Sequence, residues 1–242
     1  PVAFFGYPDK PSLLYKEGTF MSTLVKVDED IHSALKDLVD ELGAVNSLPA
    51  FIAKLERPEY PTGNISKEKI AQVIGAVLEE NTIVVDESVT TGRDFFPVTA
   101  GAPPHDWLNN RGGSIGDGMP VSIGASIACP DRKVLLLEGD GSGMYTIQSL
   151  WTMVRENLDI IILIFANRSY EILRGELNNV GVKNPGPRAL DMLTLDRPYL
   201  DWVSLAKGMG LNAIKVDNCE SLIKGLQAAF KNQGPFLIEI LM

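Results

Sequence analysis

Histidine and cysteine are almost missing from these 242 residues: His32, His105, Cys129 and Cys219 are all there are. Two distant cysteines cannot form a disulfide framework, and they lack the close spacing of a zinc site. Both are expected to be small buried residues in a reducing cytosol, and the chain is expected to be cytoplasmic. Two isolated histidines give little support to a histidine-based metal centre or a serine triad. Long apolar runs are missing too. The longest, Ile160 to Ala166, falls far short of the roughly 20 residues that cross a bilayer, so no membrane partner is expected. Positive charge is in deficit, with 22 Lys and Arg against 31 Asp and Glu and a net charge of −9. That argues against nucleic acid as a partner; the acidity serves solubility. No signal peptide is expected, and a start at Pro1 is expected of a fragment or a processed product.

Apolar residues make up 45% of the sequence, enough for a sizeable core in one large domain or one domain plus a piece of another. Residues 1–45 read as the carboxyl-terminal tail of a preceding α/β domain. A strand at Val2–Phe5 is followed by the turn formers Gly6, Pro8 and Pro11. A second strand is expected at Thr23–Val27, then a helix from about Glu29 to Leu42, capped by Asp28 and stopped by Gly43. Residues 46–64, with Pro49, Pro58, Pro61 and Gly63, read as a linker. From residue 65 to 242 helices and strands alternate. Ser66 opens a helix burying Ile70, Val73, Ile74 and Val77. Strands are expected at Thr82–Val85, Val134–Leu137, Ile160–Phe165, Ala213–Val216 and Phe236–Leu241. Further helices are expected near Pro120–Ala128, Tyr145–Glu156, Leu200–Met209 and Ser221–Phe230, with a loop between Asp86 and Gly113. Uniformly apolar strands alternating with helices indicate an α/β fold: a doubly wound parallel sheet with helices on both faces. Ligands in such folds bind at the carboxyl ends of the strands.

Asp140 sits at such an end, in "LLLEGDGSGMY". A carboxylate between glycines, with a helix expected to begin near Gly143 and aim its free N–H groups at the same spot, suits a cation-bridged phosphate or diphosphate. Taken alone, Gly139-Asp140-Gly141 fits a tight turn with an N-cap aspartate equally well. The same tripeptide at Gly116-Asp117-Gly118 follows no apolar strand and reads as a loop turn. The next strand ends in "FANRSYEIL", where Asn167 offers an amide oxygen suited to Mg²⁺. Consecutive parallel strands joined by a helix are usually neighbours, so Asp140 and Asn167 are expected to face one cation. Between Gly141 and Asn167 lie 25 residues, 142 to 166.

Gly-Asp-Gly, that interval and an asparagine at the next strand end resemble the thiamine diphosphate motif, with Ala166 in place of the first of its usual two asparagines. "RGGSIGDGMPVSIGASIACPDRKV" and "FANRSYEIL" extend the resemblance to the carboxyl-terminal part of the acetolactate synthase and benzoylformate decarboxylase group, nearest the acetolactate synthase-like branch. The resemblance implies a thiamine diphosphate-binding fold over residues 65–242 and Mg²⁺ held by Asp140, the Asn167 side chain and the Ser169 carbonyl. It implies cofactor contacts at Ser88, Thr90, Gly139, Gly141, Ser142, Asn167, Ser169 and Tyr170. Val89 stands where relatives have a residue able to carry a hydroxyl. The Gly113 carbonyl and Ile115 N–H would hold the aminopyrimidine, and the Ile115 side chain would bend the cofactor. Residues 171–188 would line or cover the entrance, as a mobile lid or as a plain surface loop.

The chemistry so implied is decarboxylation of a 2-oxo acid, pyruvate by default, with carboligation or simple protonation to follow. The family's pyrimidine-activating glutamate lies on an amino-terminal domain, usually of a neighbouring subunit. Neither Glu87 nor Glu171 is placed to replace it. The expected partners are therefore that domain and a second copy, in a homodimer or homotetramer. Against a module for NAD or flavin stands the absence of Gly-x-Gly-x-x-Gly after the first strand of the repeating region. A catalytically inactive relative stays open.

Overall fold

The structure, a computed structural model, describes residues 2–5, 21–25, 29–48 and 54–242. It divides into two compact units, Pro1–Ile52 and Ala53–Met242. In the first, strands β1 (Val2–Phe5) and β2 (Met21–Val25) pair in parallel. Helix α1 (Ile31–Glu41) follows. The Asp30 carboxylate caps it by accepting from Ser33 N at 2.8 Å. Asp28, Gly6, Pro8, Pro11 and Pro49 lie outside the described residues. Gly43, at φ +63°, ends α1 as expected of a left-handed C-terminal glycine.

The second unit is a six-stranded, all-parallel sheet in the order β4-β3-β5-β6-β8-β7. Its strands are β3 (Ile83–Glu87), β4 (Asp106–Asn109), β5 (Val134–Gly139), β6 (Ile160–Ala166), β7 (Asn212–Val216) and β8 (Phe236–Leu241). One face is covered by α2 (Lys67–Val77) and α9 (Cys219–Lys231), whose Ile70, Ile74, Leu222 and Leu226 pack on Leu135, Leu163 and Ile238. The other is covered by α4 (Gly118–Ala128), α5 (Ser149–Arg155) and α8 (Trp202–Gly208). There Met119, Leu150, Met153 and Trp202 meet Val85, Leu136 and Ile162. Burial on both faces is why β5 and β6 are apolar without alternation: all seven residues of β6 are buried. The helices start where local chemistry lets them. Ser66 accepts from Lys69 N at the head of α2, and Asn218 from Ser221 N at the head of α9.

Three segments differ from the sequence expectation. The stretch read as one loop between Asp86 and Gly113 contains a short helix, α3 (Phe95–Thr99), and the edge strand β4. An edge strand of four residues with Asp106 and Asn109 exposed has no apolar run to give it away. Residues past Ser169, read as lid or loop, form α6 (Glu171–Asn179) and α7 (Pro187–Asp191). The continuous helix expected over Tyr145–Glu156 is broken: a single 3₁₀ turn at Gly143–Tyr145 precedes α5, which begins only at Ser149. Thr146 causes the break, its hydroxyl donating to the Gly116 carbonyl at 2.8 Å while its backbone leaves the helical region.

The fully buried middle of β6 makes a direct test. Ile162→Ala is expected to lower unfolding free energy by about 2–5 kcal/mol. Ile127→Ala, on the 60%-exposed side of α4, should change it by less than about 0.5 kcal/mol. Denaturant titration followed by circular dichroism measures both.

Candidate functional site

Strands β5 and β6 are hydrogen-bonded neighbours, with Gly139 opposite Phe165. The chain leaves the sheet at both tips just beyond that pair. Asp140 N donates to Phe165 O at 3.4 Å, and Asn167 N to the same oxygen at 3.0 Å. Asp140 and Asn167 therefore rise side by side, and both line one cleft of about 140 Å³. Asp140 is 3% exposed and accepts from Arg168 N at 2.6 Å. Burial pushes its carboxyl up to about 6, against the pull of the Arg168 and Gly141 amides; a bound cation would act in the same direction as those amides. The Asn167 amide oxygen accepts from Ser169 N at 2.9 Å, which folds the loop back on itself. Ser169 Oγ and Tyr170 N donate to Leu193 O, and Leu195 N to Arg168 O. The loop after β6 is thus laced to residues 193–195 on both sides.

Two side chains crowd Gly141. A Cβ there would stand 2.8 Å from the Tyr170 ring and 3.2 Å from Leu195, both of which lie against its backbone. Ser142 gives its hydroxyl to the Glu138 carboxylate. The broken helix corrects the expectation that a helix dipole aims at Asp140: one 3₁₀ turn aligns too few peptide dipoles to act so. Ser88, Thr90, Gly139, Ser169 and Tyr170 all line the same cleft, as do Glu171, Ile172 and Leu173 from the start of α6. Ser88 is 3% exposed and spends its hydroxyl on Asp86 at 2.5 Å. Thr91, which the sequence reading passed over, also lines the cleft; the only signal was a hydroxyl beside Thr90.

A second cavity of about 440 Å³ adjoins the first. Ser88, Val89, Ile115 and Ile172 line both. Ile115 is 45% exposed and stands at the divide, while Gly113, at φ +68°, belongs to the second alone.

Beneath the glycine loop lies a pair of carboxyl groups that sequence reasoning did not find. Glu87 and Glu138 face each other in register at the ends of β3 and β5, 1% and 0% exposed. Glu87 accepts from Gly116 N at 2.5 Å and Gly118 N at 2.6 Å. Burial, then the Glu87 charge, hold the Glu138 carboxyl well above its usual range. Burial raises Glu87 too, opposed by the Gly116 and Gly118 amides. Glu138 Oε2 is buried without a hydrogen-bond partner, and the Glu87 charge beside it disfavours its ionisation.

Among the described residues no Lys, Arg or His lines the first cleft, and no three His, Cys, Asp or Glu side chains converge as a metal cage. One carboxylate, one amide oxygen and nearby carbonyls suit a hard divalent ion that keeps water or phosphate oxygens in its remaining positions. With no cationic side chain lining it, the cleft leaves an anionic ligand's charge to backbone amides or to a bound cation.

Residues 92–240 match the family described as thiamine pyrophosphate enzyme, C-terminal TPP binding domain. The chain is 46% identical to the acetolactate synthase large subunit-like protein IlvX of Mycobacterium tuberculosis, over 100% of this chain and 47% of that one. It is 29% identical to benzoylformate decarboxylase of Pseudomonas aeruginosa, over 87% of this chain and 39% of the relative. The chain thus spans about half the length, or less, of these relatives. In fold it is similar to the thiamine diphosphate-dependent 4-hydroxybenzoylformate decarboxylase of Rhodococcus jostii RHA1, with a TM-score of 0.73 at 24% identity over 92% of this chain and 41% of that one.

Val89 carries a strain that can be measured. Its φ is +49°, a left-handed value that a β-branched residue rarely adopts. Val89→Asn is expected to raise stability by about 1 kcal/mol, read as a higher denaturant midpoint at unchanged slope.

Proposed function

The chain belongs to the thiamine pyrophosphate-dependent enzymes, in the acetolactate synthase and benzoylformate decarboxylase group, and from that premise we propose that it supplies the diphosphate- and metal-binding half of an acetolactate synthase-like active site. The observation that carries the reading is the pair Asp140 and Asn167, on adjacent strand tips and in one cleft without a cationic side chain. Asp140, the Asn167 amide oxygen and the Ser169 carbonyl would hold Mg²⁺, a hard ion suited to such oxygen donors. The ion supplies the positive charge the cleft lacks. Amides of Gly141 and Ser142 and the hydroxyl of Thr90 receive the diphosphate.

When bound, thiamine diphosphate supplies the electron sink into which the bond to the carboxylate of a 2-oxo acid breaks. The chain's own residues place and shield that chemistry. Ile115, which lines both cavities, would wedge against the cofactor, and the Gly113 carbonyl and the Ile115 N–H would orient its pyrimidine. Ile172 and Leu173 keep water from the reacting carbon. The glutamate that would partner the pyrimidine ring would come from an amino-terminal domain of a second subunit, in a homodimer or homotetramer. Glu87 is not that group, because both its oxygens are taken by backbone amides.

In this reading a second carbonyl compound would be the acceptor, as in an acetolactate synthase-like carboligation. A second reading, protonation in place of carboligation by a benzoylformate decarboxylase-like enzyme, draws support from the similarity to the Pseudomonas aeruginosa decarboxylase across 87% of the chain. Product analysis separates them: with pyruvate, thiamine diphosphate and Mg²⁺, carboligation yields an acetohydroxy acid and protonation an aldehyde. Supplied with the same components but no amino-terminal domain, this chain is expected to release no carbon dioxide. Steady release would contradict the division of the site between domains.

A further inference from the structure

The second Gly-Asp-Gly, residues 116 to 118, is left without a role by the diphosphate site. Asp117 does not reach that site; it accepts from Asn110 Nδ2 at 2.8 Å. The two glycines on either side of it do something specific. Both of their amides point at one buried carboxylate, Glu87, at 2.5 and 2.6 Å. Gly118 is required by that arrangement, since a Cβ there would lie 2.6 Å from Glu138 Oε2 and 2.8 Å from Glu87 Oε2. Gly116 is required too, having a φ of +93° and Tyr145 Cβ 2.7 Å from where its own Cβ would be.

The loop that carries Ile115 is otherwise loosely specified. Gly112, Gly113 and Gly116 all have positive φ, and glycines bring backbone freedom wherever they occur. A side chain on such a loop holds a fixed position only if the flanking peptides are anchored. Glu87 supplies the anchor from the rigid end of β3. Its Oε1 binds the amide of the peptide unit joining Ile115 to Gly116. Thr146 Oγ1 holds the following carbonyl, that of Gly116, and Asn110 Nδ2 the Ser114 carbonyl. Ile115 is thereby fixed from both sides. The same carboxyl pair reaches the diphosphate side of the cleft, because Glu138, opposite Glu87, accepts from Ser142 Oγ.

We propose that Glu87 is a positioning residue for the bound cofactor: by accepting from the Gly116 and Gly118 amides it sets the Ile115 wedge that determines how the cofactor's two rings are held. This rests on the function proposed above. A glutamine here offers one acceptor oxygen and turns an amine toward the other N–H, so Glu87→Gln breaks one anchor at constant size.

The test compares two ligands on the intact enzyme that contains this chain, each titrated with Mg²⁺: thiamine diphosphate, and inorganic diphosphate, which has no rings to position. Glu87→Gln is expected to weaken thiamine diphosphate about ten-fold or more, leaving inorganic diphosphate within about two-fold, the difference ordinary for sites that do not couple. Ile115→Ala should show the same selective loss, and the double variant should bind no worse than the weaker single variant, because both changes remove one interaction. Equal losses for both ligands, or losses that multiply in the double variant, would overturn the proposal by making Glu87 a general prop of the fold. Glu87→Asp, which keeps the charge and shortens the reach, serves if the glutamine variant does not fold. Should neither fold, hydrogen exchange on the unaltered enzyme decides: slow exchange at Gly116 and Gly118 supports the anchor, and free exchange refutes it. A wild-type enzyme that binds inorganic diphosphate as tightly as thiamine diphosphate would instead refute the proposed function, and this inference with it.

Discussion

The parallel pairing of β5 with β6 is the constraint on which everything else stands. With Gly139 opposite Phe165, the chain leaves the sheet on both strands at the same height, and Asp140 and Asn167 come out side by side. A slip of one residue would exchange the side chains packed into the two helical layers, and β6 is buried against both along its whole length, so close packing resists it. The hydrophobic layers that fix the sheet therefore also fix the spacing of two polar side chains. No loop has to be ordered for that purpose alone, which is how a binding site can be both polar and well placed on a domain of ordinary stability.

The row of the sheet one residue before the Gly139 and Phe165 pair carries the structure's least comfortable groups. In register, Glu87, Glu138, Ile164, Glu239 and Lys215 lie side by side across β3, β5, β6, β8 and β7. At one end Glu239, 0% exposed, is compensated by Lys215 at 3.3 Å. At the other, Glu87 and Glu138 are compensated by backbone amides and the Ser142 hydroxyl instead. Burying carboxyl groups is costly unless they are satisfied. The groups that satisfy Glu87 and one oxygen of Glu138 belong to the two loops that border the cleft, while Glu138 Oε2 and Glu239 Oε1 are left without a partner.

The sheet was legible in the sequence because fully buried strands are written as apolar runs, and the helices because Ser66 and Asn218 mark starts and apolar positions recur at helical spacing. Asp140 and Asn167 could be singled out because strand ends are where such folds bind ligands. What escaped was set by contacts between distant residues. The edge strand Asp106–Asn109 is half exposed and has no run of its own. The helix after Gly143 breaks because Thr146 prefers the Gly116 carbonyl, a partner thirty residues upstream that no local pattern announces. The Glu87–Glu138 pair is invisible for the same reason, since each glutamate alone looks like the polar end of a strand and only the register makes them a pair.

The central claim is that one divalent ion, gripped by Asp140 and Asn167, carries the diphosphate. Calorimetric titration of thiamine diphosphate with and without Mg²⁺, on the wild type and on Asp140→Ala and Asn167→Ala, tests it most directly. The account predicts binding that needs Mg²⁺ and that either substitution abolishes or weakens by about a hundred-fold or more. Binding that survives a chelator, or that is indifferent to both substitutions, would contradict it.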